Sequence, residues 1–258
     1  MRIKFTNGSP IVDMLDHLPP VPLFLEYYGQ SHVGYANLTE QDEFGISHAL
    51  QLHDRVCHID LELPVLSFVH QIFVLLDRHF PKLEHLSLTF SNSRLPPTFP
   101  KAFLAPNLRH FALPSISPPR RLRVLTSTTS LVTLKLRNIQ PSGYFRPRLL
   151  VARLSSLPQL EELFISFSTP IPRPSAERGL LGEKGATVTL PSLKKIFFEG
   201  VGTYLESLVA QISAPRGSRS CCLTKSPLCC RTCPTLSISQ KRSSFPARLL
   251  PSIAIISQ

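Results

Sequence analysis

A six-fold apolar-x-x-apolar-x-apolar signature sets the frame for everything this chain can fold into. Its copies are Val56-Ile59-Leu61, Leu83-Leu86-Leu88, Leu108-Phe111-Leu113, Leu131-Leu134-Leu136, Leu160-Leu163-Ile165 and Leu193-Ile196-Phe198. Their starts lie 27, 25, 23, 29 and 33 residues apart. A short apolar strand recurring at such a period cannot bury its side chains alone, so neighbouring units must stack and bury them together.

That spacing and that strand motif are those of leucine-rich repeats, with one longer insertion before the last copy. The expected fold is therefore α/β: an irregular leucine-rich-repeat solenoid. A short-stranded parallel sheet lies on its concave side and helices or loops on its convex side. An edge strand is expected over residues 21–28 and repeat strands over 56–63, 83–90, 108–113, 131–137, 160–167 and 193–198. Helices are expected over 38–52, 66–80, 120–126, 147–157 and 202–212. Thr39 suits the N-cap of the first, with Glu40, Asp42 and Glu43 in the first turn, where carboxylates favour the helix dipole. Residues 1–20 read as a lead-in and 169–189, with three prolines and three glycines, as a loop.

Charge divides the chain. The whole carries +11, yet all 17 acidic residues lie at or before Glu206 and seven of the 28 basic ones lie after Pro215. Residues 1–215 thus hold 21 basic against 17 acidic groups, a net +4 that is ordinary for a soluble domain. From 216 the period stops, and Ser, Pro, Arg and five of the six cysteines dominate. The expected domains are the lead-in, a repeat domain over 21–215, and a basic, disordered tail over 216–258. Such a tail resembles translation in a shifted frame or through a retained intron. Weak, nonspecific nucleic-acid binding is the most its cations would support, since Phe245 is its one aromatic residue. Cys230 and Cys233 form one C-x-x-C without a second clean pair, short of a structural zinc site.

No run approaches the roughly 20 apolar residues of a membrane span, and the first residues lack a signal-peptide core. With Cys57 alone before residue 220, an intracellular, cytoplasmic or nuclear location is expected.

Strand alternation turns the repeat into a map of faces. The fourth and sixth positions point inward, whereas the third, fifth and seventh point out. The third position reads His58, His85, His110, Thr133, Glu162 and Lys195; the fifth reads Asp60, Ser87, Ala112, Lys135, Phe164 and Phe197; the seventh includes Arg137. Neighbouring strands about 4.8 Å apart place the three histidines in a ladder. These positions form the candidate partner-binding face, acidic, then histidine-rich, then basic, then aromatic; Phe164 and Phe197 are its candidate anchors, with burial beneath the 169–189 loop as the alternative reading. No metal is expected, because neither a carboxylate nor a cysteine completes a recognised ligand spacing. Asp60 shares a strand face with His58 without forming a triad. No phosphate loop, nucleophile elbow or His-Glu-x-x-His is present, so no enzyme and no cofactor are expected.

Linking phrases extend the likeness. They include Met14-Leu15-Asp16 before Leu23-Phe24-Leu25-Glu26-Tyr27, then Ala49-Leu50-Gln51-Leu52-His53-Asp54-Arg55-Val56-Cys57-His58-Ile59-Asp60-Leu61, and Phe80-Pro81-Lys82-Leu83-Glu84-His85-Leu86. Later come Pro141-Ser142-Gly143-Tyr144, Leu160-Glu161-Glu162-Leu163 and residues 200–210. Over residues 12–215 the chain resembles the F-box-like leucine-rich-repeat proteins of mushroom-forming fungi. The resemblance implies a substrate-receptor role in which an F-box docks on a cullin ubiquitin-ligase adaptor while the repeats hold a target protein. The F-box itself has no counterpart here, since a strand follows Leu18-Pro19-Pro20 directly. The expected function is thus protein–protein interaction, with a basic-tailed nucleic-acid-associated protein as the alternative.

Overall fold

The computed structural model describes residues 2–4, 15, 17, 19–28, 38–63, 66–90, 98–118, 123–140, 143, 147–167, 187–200, 208, 210–213, 215 and 219–224. Strand β1 (Arg2–Lys4) and β2 (Leu23–Tyr27) precede helix α1 (Glu40–Gln51) and strand β3 (Val56–Leu63). Helix α2 (Leu66–Leu76) leads to β4 (His85–Phe90) and β5 (His110–Pro114). Then follow α3 (Val124–Ser127), β6 (Thr133–Ile139), α4 (Pro147–Leu154) and β7 (Glu162–Phe167). Last come β8 (Val188–Thr189), β9 (Lys195–Gly200), β10 (Ile212–Ser213) and β11 (Arg219–Thr224).

Nine of these strands make one parallel sheet in strict chain order, β1-β2-β3-β4-β5-β6-β7-β9-β11, while β8 and β10 pair separately. Every strand thus joins the one before it, as a chain of stacked strand-and-connection units requires. The inward positions are sealed: Ile59, Leu61, Leu86, Leu88, Phe111, Leu113, Leu134, Leu136, Ile165 and Phe198 are wholly buried. They share one core with Ile46, Ala49 and Leu50 of α1, Phe68, Val69, Ile72 and Leu76 of α2, and Leu150, Val151 and Leu154 of α4. Each such side chain contributes about 1.5–3 kcal/mol by leaving water. One face of the sheet is therefore covered, while most side chains described on the other are half-buried or exposed.

A turn sets the register. The segments Phe80-Pro81-Lys82-Leu83, Ala105-Pro106-Asn107-Leu108, Leu157-Pro158-Gln159-Leu160 and Leu190-Pro191-Ser192-Leu193 each close with the fourth residue's N–H donating to the first residue's carbonyl, at 3.4, 3.2, 3.2 and 3.3 Å. Proline presets φ at the second position of such a turn, and the flanking apolar residues are buried. Next along the chain, Arg109 and His110 both donate to the Glu84 carbonyl, Val132 and Thr133 to that of Arg109, Glu161 and Glu162 to that of Val132, and Lys194 and Lys195 to that of Glu161. The motif's first leucine thus lies in the turn. This is why β4, β5, β7 and β9 start two residues later than the motif suggests.

Thr39 is the N-cap of α1: its hydroxyl accepts from the Asp42 N–H at 3.2 Å, and the Asp42 carboxylate accepts from the Thr39 N–H at 3.2 Å. Other boundaries differ from expectation. α2 ends at Leu76 instead of running to 80, because Leu104 N–H donates to the Arg78 carbonyl and Phe80 N–H to the Leu104 carbonyl, diverting the backbone into a parallel bridge. α3 is a single turn and α4 stops at Leu154. β2 is not an edge strand, since β1 from the lead-in pairs outside it in parallel. Most of the loop expected over 169–189 and of the helix expected over 202–212 lies outside the described residues; what is described there includes β8 and β10.

The largest departure concerns the tail. Residues 219–224, expected to be disordered, form β11 and pair in parallel with β9, Ser220 opposite Ile196 and Cys222 opposite Phe198. β11 starts 24 residues after β9, so the period persists past 215 while the apolar letters that mark it do not. Residues 225–258 lie outside the described residues.

Candidate functional site

Because the turns hold the strands in step, the open face is organised as straight columns across them. The first column runs Phe24, His58, His85, His110, Thr133, Glu162, Lys195. The second runs Glu26, Asp60, Ser87, Ala112, Lys135, Phe164, Phe197. Of the thirteen positions named as outward from the sequence, twelve lie in these two columns, and Arg137 lies over Phe164 in the second. Thr133 is buried in its column, and most of the others are half-buried between neighbours.

The histidine ladder is a stack. The rings of His58 and His85 lie 4.1 Å apart and 13° from parallel, and His110 continues the pile 5.5 Å from His85 at 40°. Phe24 stacks on the other side of His58 at 5.8 Å. Crowding against protein drives the His85 imidazole down to about 4, with the neighbouring His58, His110 and Lys135 adding to burial and Asp60 opposing it. His110 is lowered too, first by burial and then by Arg109 and Lys135. A neutral His85 at the centre suits so close a stack, since two adjacent imidazolium cations at this distance would repel.

Asp60 is the anionic member of the cluster. Ligand atoms of His58, Asp60 and His85 all lie within 4.8 Å of one another. Tyr28 donates its hydroxyl to Asp60 Oδ2 at 2.6 Å, and Glu26 Oε1 lies 4.0 Å from His58 Nε2. Two shallow depressions of about 490 and 300 Å³ flank the stack, the first beside Phe24, Cys57 and His58, the second between Asp60, His110, Lys135 and Arg137.

Farther along, Glu162 sits between two lysines, 2.5 Å from Lys195 Nζ and 3.6 Å from Lys135 Nζ. The Lys195 hydrogen bond is the main cause that pulls its carboxyl below the usual carboxylate range. Phe164 and Phe197 stack at 4.0 Å and 13°, and the Arg137 guanidinium lies 4.3 Å above the Phe164 ring. Both phenylalanines are half-buried. Ser166, outward by alternation, is instead buried and donates to Glu199 Oε2 at 2.8 Å.

Sequence reasoning missed Phe24, Glu26 and Tyr28. The signal was available in the alternation of residues 23–28 but carried no leucine motif, so this strand was left outside the repeat alignment. It joins Asp60 to His58 alone, because the approach to His85 depends on cross-strand register rather than on spacing within one segment. Among the described residues no helix is long and apolar enough to cross a membrane. No family model, no curated protein and no solved structure matches this chain.

Proposed function

We propose that the chain is a protein-interaction module, an irregular leucine-rich-repeat solenoid of the F-box-like kind, whose partner protein seats on the open face of the sheet. The observation that carries this reading is the Phe164–Phe197 stack capped by Arg137 beside a charged column. Aromatic and arginine side chains fixed by their neighbours lose little entropy on docking and dominate interface energies. The alternation of acidic, imidazole, basic and aromatic groups along one face adds a pattern that selects among partners. A target-holding role beside a cullin adaptor accords with the resemblance of residues 12–215, and the adaptor contact itself belongs to an F-box.

Photo-crosslinking tests the reading. A benzoyl-phenylalanine placed at Phe197 of the full chain should capture a discrete protein in the cells that express it. The same residue at Val74, exposed on α2, should not. Capture at Val74 alone, or no protein adduct at Phe197, would overturn the proposal; cullin-adaptor subunits are sought by mass spectrometry of the same adducts.

A further inference from the structure

We propose that His58, Asp60 and His85 form a binding site for a divalent first-row transition metal, zinc in particular. Two imidazoles and one carboxylate are a donor set suited to such an ion, and three protein ligands leave a further position for water or another group. The three residues come from two neighbouring strands at adjacent register positions: His58 opposite His85, and Asp60 two residues beyond His58 on the same face. Such placement makes the donors neighbours through backbone pairing, so little ordering of the chain remains for the ion to impose.

Metal–nitrogen bonds of 2.0–2.1 Å imply donors about 3.4 Å apart in a tetrahedral site. Donor atoms within 4.8 Å of one another reach this once the stacked His58 and His85 rings tilt apart so that their in-plane lone pairs converge, and all three residues are half-buried at a surface, where side chains can turn. The outer contacts are those a metal site uses. Tyr28 holds Asp60 through Oδ2, which leaves the second carboxylate oxygen to coordinate; Glu26 lies beside His58 and can orient its ring. Cys57, on the same strand, is not a member of the cluster.

The test uses the full chain, stripped with chelator and titrated with Co²⁺ as a spectroscopic stand-in for zinc. One equivalent should produce visible ligand-field bands without the near-ultraviolet charge-transfer band of a thiolate ligand, and Zn²⁺ should displace it. His85→Gln and Asp60→Asn should each weaken Co²⁺ by more than the about 10–100-fold typical of outer partners, and Tyr28→Phe by about tenfold. His70→Gln, on the exposed side of α2, should leave affinity unchanged. Circular dichroism of each variant verifies its fold, and the isosteric Asp60→Asn with Tyr28→Phe decides the matter should His85→Gln not fold. Three results would overturn the site: no uptake below millimolar metal, a thiolate band that survives His85→Gln, or loss on His110→Gln with Asp60→Asn unaffected. The second would move the metal to the tail cysteines, the third to a histidine-only ladder.

Discussion

Gly143 shows how little room single residues have. A β-carbon there would lie 3.1 Å from Ser117 Cβ and 3.2 Å from both Ile139 Cγ2 and Pro118 Cδ, with three groups crowding it at once. Gly143→Ala should therefore destabilise by about 1–3 kcal/mol, the ordinary cost of overpacking, read as a lower urea midpoint with an unchanged slope. An equal or higher midpoint would mean the neighbours yield freely. Nearby, Asn138 and Ser115 both adopt positive φ, 53° and 60°, and Asn138 Nδ2 donates to Ser115 Oγ at 3.2 Å. Asparagine tolerates the left-handed region, and the shift in register between Leu136 and Ile139 falls at this residue. Glu162 supplies a pH signature. Its folded-state pKa is depressed, so its pairing stabilises above the unfolded carboxylate value and is lost as pH falls through the folded one. The pair is exposed, which limits the effect to about 1 kcal/mol or less. The stability gap between the native chain and Glu162→Gln, measured in urea, should be present at pH 7 and close at acid pH; a gap that persists in acid would assign the effect to something other than charge.

At the scale of elements, the capping box is the clearest local determinant. Thr39→Ala removes the acceptor for the Asp42 N–H and should cost about 1 kcal/mol, visible as a lower thermal midpoint and as faster amide exchange in the first turn of α1. Unaltered exchange there would show that packing of Ile46, Ala49 and Leu50 alone holds the helix. This cap, the interior strands and the outward positions were all legible because each is written in local chemistry: a threonine before carboxylates, leucines at fixed spacing, alternation along a strand. Element ends were less legible. The first leucine of four of the motifs belongs to a proline turn, and α2 yields its last expected turn to a bridge with Leu104, a contact 25 residues away that no local pattern records. β1 and β11 were illegible for a different reason. Neither carries the apolar signature, and β11 sets Ser220 and Cys222 opposite core residues of β9, so only pairing with an existing strand defines them. The metal-capable cluster was hidden in the same way, since register across strands, rather than spacing along one, brings Asp60 to His85.

For the whole molecule, growth of the sheet by one strand at a time means that its two margins carry disproportionate weight. Ending the chain at Pro215 would remove β11 and leave the backbone groups of β9 unpaired along a parallel edge, a template for another chain. The truncated protein should melt lower and self-associate more than the full chain by light scattering. Identical melting and a monomeric truncate would instead show that the strand adds nothing and that the sequence after 215 is dispensable. The straight columns have a last consequence, which concerns measurement. Rungs across parallel strands recur about every 4.8 Å, whereas an extended peptide advances about 3.3 Å per residue. A peptide lying along the His58–Lys195 column would meet rungs and residues in coincidence only about every third residue and second strand. Such a surface works as a vernier scale: it compares a ligand with itself at intervals, and a one-residue slip moves every coincidence at once.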